Sequence, residues 1–157
     1  MTHDPRDIPP AGSTTNGAHA IPAAFAAALD QGDLDAAASC LAPGCVCRDG
    51  ALTASGAEAV VALYRAAVSW AERGFDDVRH VSTVESYGPG TARIAVTSML
   101  MRMPGRWHRL RFARELTVDP GGRVTAITHV CEPGAAAAFR VFVRGCGVPP
   151  PPPGFGA

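Results

Sequence analysis

Apolar residues recur at helical spacing in three segments of the first half of the chain. Four of them predict a first helix that ends near Gly32: Ile21, Phe25, Ala28 and Leu29. Asp33 is placed to cap a second helix, which Pro43-Gly44 would end. A capping box, Ser55-Gly56-Ala57-Glu58, predicts the start of a third helix that ends near Gly74. Its apolar stripe recurs every three or four residues: Val60, Leu63, Tyr64, Ala67, Val68 and Ala71.

The second half of the chain has the two-residue periodicity of β-strands. A short strand at 45–49 precedes the third helix, and longer strands follow it: 78–87, 92–103, 106–118 and 123–131. Arg114 shares the apolar face of its strand with four hydrophobic residues: Leu110, Phe112, Leu116 and Val118. A short helix is predicted at 135–144. Three helices before an antiparallel meander predict an α+β fold with a curved, mostly antiparallel sheet.

Composition separates one folded segment from two ends of different character. Residues 1–20 have few apolar anchors and predict a disordered arm. Residues 147–157 include five consecutive prolines, Pro149 to Pro153, and predict a disordered polyproline tail. The remaining 21–146 predict a single domain, since 157 residues have room for one hydrophobic core.

Charge and cysteine content narrow the possible partners and compartment. Fourteen basic residues balance fourteen acidic ones, so neither nucleic acid nor an anionic membrane surface is an expected partner. The five cysteines are an odd number, which argues against a closed disulfide framework. Neither an apolar signal segment nor an apolar run of spanning length is visible. These features predict a cytoplasmic protein with reduced thiols.

Three segments resemble the nuclear transport factor 2-like superfamily, which includes SnoaL-like and ketosteroid isomerase-like proteins. They are Ala28-Leu29-Asp30-Gln31-Gly32-Asp33-Leu34-Asp35 with Leu41-Ala42-Pro43, then Gly56-Ala57-Glu58-Ala59-Val60, then Asp119-Pro120-Gly121-Gly122-Arg123-Val124. The resemblance spans about residues 21–135. It implies a cone-shaped α+β barrel and a homodimer paired through the outer sheet face. It leaves the activity open, because the superfamily includes isomerases, polyketide cyclases, epoxide hydrolases, dehydratases and non-catalytic modules.

Three ionisable residues are candidates for catalysis, each with an alternative role. Asp49 stands where the similar ketosteroid isomerases carry their general base, although it also fits a strand-end residue at the Gly50 turn. Arg114 would stabilise an enolate or bind a carboxylate, or pair structurally with Asp49 or Glu132. His129 would act as an acid, as in the similar SnoaL-like cyclases, or would simply line the pocket or the surface.

Two of the activities found in the superfamily do not fit the residues of this sequence. Phe25 and Arg114 replace the two oxyanion donors of the isomerases, which argues against steroid isomerisation. An epoxide hydrolase would need a carboxylate two residues from the inward arginine, where Phe112 and Leu116 stand. Four residues are expected to contact the substrate: Phe25, Tyr64, Phe112 and Cys131.

The resulting hypothesis is a cofactor-independent acid/base enzyme acting on a small apolar carbonyl compound. Asp49 would be the base, His129 the acid and Arg114 the electrostatic clamp, in an isomerase, cyclase or dehydratase. The alternative is a non-catalytic ligand-binding or assembly module. A zinc site would need the side chains of Cys45, Cys47, His129 and Cys131 to converge, but Cys-x-Cys is not the usual spacing, so no metal or other cofactor is expected.

Overall fold

The computed structural model describes residues 16–153, with side chains from residue 20 onward. Within that range the helices are α1 (Asn16–Asp30), α2 (Leu34–Ser39), α3 (Ala57–Gly74) and α4 (Pro133–Gly145). The strands are β1 (Leu41–Asp49), β2 (Leu52–Ser55), β3 (Asp77–Gly88), β4 (Thr91–Arg102), β5 (Arg106–Val118) and β6 (Val124–Val130). No helix in this part of the chain combines the length and apolar character needed to cross a bilayer.

The strands form one curved, unclosed sheet in the order β2-β1-β6-β5-β4-β3. Neighbouring strands are antiparallel except β1 and β6, which are parallel. Helices α1 and α3 contact the sheet, and α4 packs on β5. The predicted α+β class and the mostly antiparallel sheet are therefore confirmed.

The hydrophobic core lies between the helices and the inner face of the sheet. On β5 the predicted inward face is buried at Leu110, Phe112, Arg114 and Leu116. Strand β4 alternates in the same way. The six largest fully buried side chains of the described residues are Phe25, Ile94, Leu100, Leu110, Ile127 and Phe139. Removing this apolar surface from water is the main force that holds the helices on the sheet.

The segment between α2 and α3 differs from the sequence prediction. Asp33 caps α2 as predicted, because its side chain accepts a hydrogen bond from the Ala36 backbone N–H at 3.0 Å. The predicted stop at Pro43-Gly44 is wrong, since both residues lie within β1. The capping box is also wrong. Ser55 is paired in the unpredicted strand β2, and the helix starts from Gly56 without a side-chain cap.

Both ends of the predicted domain extend further than its composition indicated. Helix α1 begins at Asn16, inside the predicted arm. In the predicted tail, Val148 is buried, and the Trp70 indole N–H donates to the Pro149 carbonyl at 2.9 Å. This hydrogen bond fixes the start of the tail against α3. Residues 1–15 and 154–157 of the predicted arm and tail lie outside the described residues.

Candidate active site

A central cavity of about 40 Å³ lies between the helices and the inner face of the sheet. Helices α1 and α3 and strands β3, β4 and β5 supply its lining: Leu29, Asp30, Tyr64, Ala67, Val68, His80, Ser98, Phe112 and Arg114. Its wall is thus mixed, with apolar helix residues and several polar side chains. Concave sites with a few convergent polar groups bind small molecules, and this one is small for that class.

Arg114 is the charged group that β5 directs inward. Its side chain lies among aromatic rings, with Cζ 5.1 Å from the Phe112 ring centroid and 5.4 Å from that of Tyr64. The residue is 7% exposed, and its Nε and Nη1 have no hydrogen-bond partner. None of the ion pairs within residues 20–153 includes Arg114, so it is not paired with Asp49 or Glu132. A buried cation without a counter-ion is costly, which marks this position as a candidate site.

His129 connects the cavity to Asp49. It lies directly opposite Arg114 in the β5–β6 pairing, and its Nε2 is 2.8 Å from the Tyr64 hydroxyl. On its other side, Nδ1 is 3.3 Å from Asp49 Oδ2, a close contact that lacks hydrogen-bond alignment. A proton on Nδ1, facing the carboxylate, leaves Nε2 to accept the hydrogen bond of Tyr64. Asp49, His129 and Tyr64 therefore form a polar chain that ends at the central cavity.

Burial decides the protonation of this chain. It lowers the pKa of His129, the contact with Asp49 raises it in part, and the positive charge of Arg114 lowers it again. Burial also raises the pKa of Tyr64 well above its usual range, against a lowering by Arg114. At neutral pH the chain thus holds a neutral imidazole beside a protonated phenol.

Two polar pairs on the other walls were not assigned by the sequence. His80 Nδ1 is 2.8 Å from Ser98 Oγ, and Asp30 accepts hydrogen bonds from the Ser82 backbone N–H at 2.7 Å and hydroxyl at 2.6 Å. Burial lowers the pKa of His80, Arg114 lowers it further, and Asp30 opposes both. Ser98 carried a signal that would have located this wall, because it is a polar residue in the apolar alternation of β4.

The predicted site residues divide between the central cavity and an outer cleft. Phe112 and Tyr64 line the cavity, whereas Phe25 is buried behind it, edge-on to Tyr64 at 6.3 Å between centroids. Asp49 and Cys131 line an outer cleft of about 470 Å³ instead. His129 also borders that cleft, as do Arg140 and Pro151–Pro153 of the tail. Asp49 is therefore connected to the central cavity by way of its contact with His129 and the hydrogen bond of His129 with Tyr64.

The cysteines do not gather with other ligands. Within the described residues, no three His, Cys, Asp or Glu side chains are placed to hold a metal ion. Burial raises the pKa of Cys45 and of Cys47 to about 11, so both are protonated thiols at neutral pH. The four side chains of the zinc alternative do not form a site.

Fold and cavity together define an α+β cone protein with a small pocket of mixed polarity between the helices and the sheet. A family model, the SnoaL-like domain, matches residues 23–127, and the chain belongs to this family. A comparison with curated protein sequences finds no match.

Several solved structures share the fold. An LEH-like epoxide hydrolase from M. tuberculosis is 20% identical, with 82% of this chain and 91% of that chain covered and a TM-score of 0.58. The epoxide hydrolase/cyclase-like enzyme SalBIII, studied in pyran ring formation in polyether salinomycin, is 13% identical, with 75% and 92% covered and a TM-score of 0.60. TerC, co-crystallised with polyporic acid, is 14% identical, with 82% and 98% covered and a TM-score of 0.62. These identities establish a common fold and leave activity to be argued from the site.

Proposed function

We propose that this protein is a cofactor-independent acid/base enzyme that acts on a small, mostly apolar carbonyl compound. The observation that carries the proposal is the buried Arg114, which has no ion pair within residues 20–153, beside Tyr64 at one cavity. Isomerisation, aldol-type cyclisation and dehydration all begin with removal of a proton next to a carbonyl group. That step needs a stabilised oxyanion and a proton acceptor in the same place.

Arg114 would hold the carbonyl oxygen on which negative charge develops. The Tyr64 oxygen would take the substrate proton while its own proton moves to His129 Nε2, over the 2.8 Å that separates them. Asp49 would stabilise the resulting imidazolium from the Nδ1 side. Asp49 thus contributes through His129 instead of touching substrate, and return of the proton to another carbon would complete an isomerisation.

The cavity volume limits the substrate. About 40 Å³ has room for roughly three water-sized groups, since one water needs about 10–15 Å³ of such space. The reacting atoms of a small ketone are of this size, and a steroid skeleton does not fit the cavity as it stands. This limit agrees with the replacement of both isomerase oxyanion donors in the sequence.

Isotope exchange tests the proposal without knowledge of the natural substrate. Acetone, a ketone that matches the cavity volume, is incubated with protein in D₂O, and loss of the α-proton signal is followed by NMR. We expect exchange above the buffer rate in the wild type, roughly 10²-fold slower exchange in Tyr64→Phe, and no change in the control Tyr87→Phe. Tyr87 suits the control because it lies on β3, 40% exposed and outside the cavity. Equal rates in wild type and Tyr64→Phe would contradict the proposal.

A non-catalytic binding or assembly module is the second candidate, and the small cavity favours it. Side chains fill most of the space between helices and sheet, which leaves little room for turnover of a large substrate. In that case neither wild type nor variant would exchange any ketone, and the protein would bind ligands with no change in them.

We also infer a cytoplasmic homodimer that pairs through the outer face of the sheet. That face has a broad concavity of about 630 Å³ with residues of both charges, including Glu85, Arg93, Arg109, Arg111 and Glu132. A two-fold axis would place this face of one copy against the same face of the other, where acidic and basic residues are available to pair. A mass of 16.2 kDa by light scattering at micromolar concentration would contradict the dimer.

A further inference from the structure

The charge balance of the central cavity is incomplete. Arg114 is a buried cation, and the Asp49 and Asp30 carboxylates have contacts with other residues. Asp49 contacts His129, and both oxygens of Asp30 accept hydrogen bonds from Ser82. Within residues 20–153 no carboxylate therefore forms an ion pair with the Arg114 guanidinium, although Asp30 lines the same cavity, and a bound anion would supply that direct pairing.

We propose that the central cavity is a binding site for a small carboxylate, with Arg114 as its counter-ion. Arg114 lines the cavity beside the Phe112 and Tyr64 rings, and the planar N–H groups of a guanidinium match the geometry of a carboxylate. Under the proposed function, on which this analogy rests, the bound carboxylate imitates the enolate. The anion site itself does not depend on catalysis.

The size of the cavity selects the ligand within this class. A volume of about 40 Å³ accommodates roughly three or four non-hydrogen atoms, the number in formate or acetate. Leu29 and Val68 supply apolar wall for a methyl group, and a longer chain would have to displace them. Phosphate has five non-hydrogen atoms and exceeds this volume.

The pKa values of His80 and His129 are sensitive to the charge in the cavity. Arg114 lowers the pKa of His80 and of His129, so an anion beside Arg114 should raise both. The pKa of His108 is lowered by burial alone, without a contribution from Arg114. His108 is therefore an internal control for effects that are not local to the cavity.

The experiment is an NMR pH titration of the histidine rings with formate, acetate or chloride at constant ionic strength. We expect formate to raise the pKa of His80 and His129 by roughly 0.5 or more, in a saturable manner, while His108 stays unchanged. In Arg114→Met the pKa of His80 and the pKa of His129 should already be raised, and formate should not change them. The control Arg79→Met, a 76% exposed arginine next to His80 in sequence, should behave as wild type.

Three results would contradict the proposed carboxylate site. They are an unchanged pKa of His80 and of His129 with formate, an equal shift of these values in Arg114→Met, and a parallel shift in the pKa of His108. If Arg114→Met does not fold, saturation in wild type with an unmoved His108 decides the matter. The outcomes are separable from the proposed function. Formate binding without ketone exchange would contradict the proposed enzymatic function and support the carboxylate site. Ketone exchange without a formate effect would contradict the carboxylate site and support the enzymatic function.

Discussion

Helix α3 supports two regions of opposite character. Its middle supplies Tyr64 to the cavity wall, where Arg114 Nε and Nη1 are buried without hydrogen bonds, and the Tyr64 hydroxyl contacts His129 behind that wall. Its last turns supply Trp70 to an aromatic cluster with α4, in which Trp70 lies 5.4 Å from Phe75 and 6.2 Å from Phe139 between centroids.

The two regions differ in how they affect stability. The aromatic cluster is apolar and edge-packed, and its indole N–H is bonded to Pro149, so it stabilises the fold. The cavity wall retains unsatisfied buried polar atoms, which destabilise it. Natural sites often carry such a local cost where a ligand must bind. The contrast predicts that substitutions in the two regions change stability in opposite directions.

The largest effect is expected in the aromatic cluster. Phe139→Ala removes a side chain with 0% exposure and should lower the free energy of unfolding by about 3–5 kcal/mol in urea titrations. Val141→Ala, on the same helix but 66% exposed, should change it by less than about 0.5 kcal/mol. Equal losses in the two variants would contradict the assignment of the cluster as the stabilising region.

The next effect has the opposite sign. Arg114→Met replaces an unpaired buried cation with an apolar side chain of similar length and should raise the free energy of unfolding by about 1–3 kcal/mol. Arg79→Met removes an exposed arginine and should stay within about 1 kcal/mol of wild type. A lower free energy of unfolding in Arg114→Met would show that Arg114 stabilises the fold. It would contradict the proposed difference between the cavity wall and the aromatic cluster.

The fold could be predicted because its periodicities are strong. Strand β5 has the predicted bounds, and a strict alternation with Phe112 and Leu116 leaves Arg114 no face but the inner one. The family match over residues 23–127 confirms the resemblance that the helix openings and the last hairpin carried.

The site could be predicted only in part, because its contacts join distant segments. Tyr64 and His129 are 65 residues apart, and no local pattern places them 2.8 Å from each other. The His80–Ser98 pair depends on the register of β3 and β4, which a bulge between Val84 and Ser86 shifts. Alternation gives the face of a residue and leaves its partner undetermined.

The pH dependence of stability should come from the cavity side. Burial lowers the pKa of His129 in the folded protein below its ordinary 6.5, so the unfolded chain binds more protons as pH falls through 6.5. Stability is therefore full above about pH 6.5 and decreases as the pH drops toward the folded value. In His129→Gln the free energy of unfolding should fall less between pH 7 and pH 5 than in wild type. An unchanged slope would assign the dependence to His80 and His108, whose pKa burial also lowers.

The smallest effect is expected at Asp49, where the chain of polar contacts begins. Asp49→Asn keeps the shape and an oxygen near Nδ1, and its neighbour His129 is neutral at pH 7, so the loss in urea should be below about 1 kcal/mol. Because Asp49 also raises the pKa of His129, the variant should lower that pKa further in an NMR titration. A loss of about 3–5 kcal/mol would instead mean that Asp49 compensates a buried charge. Arg114 would then have a counter-ion after all, and both the enzyme and the carboxylate site would lose their main support.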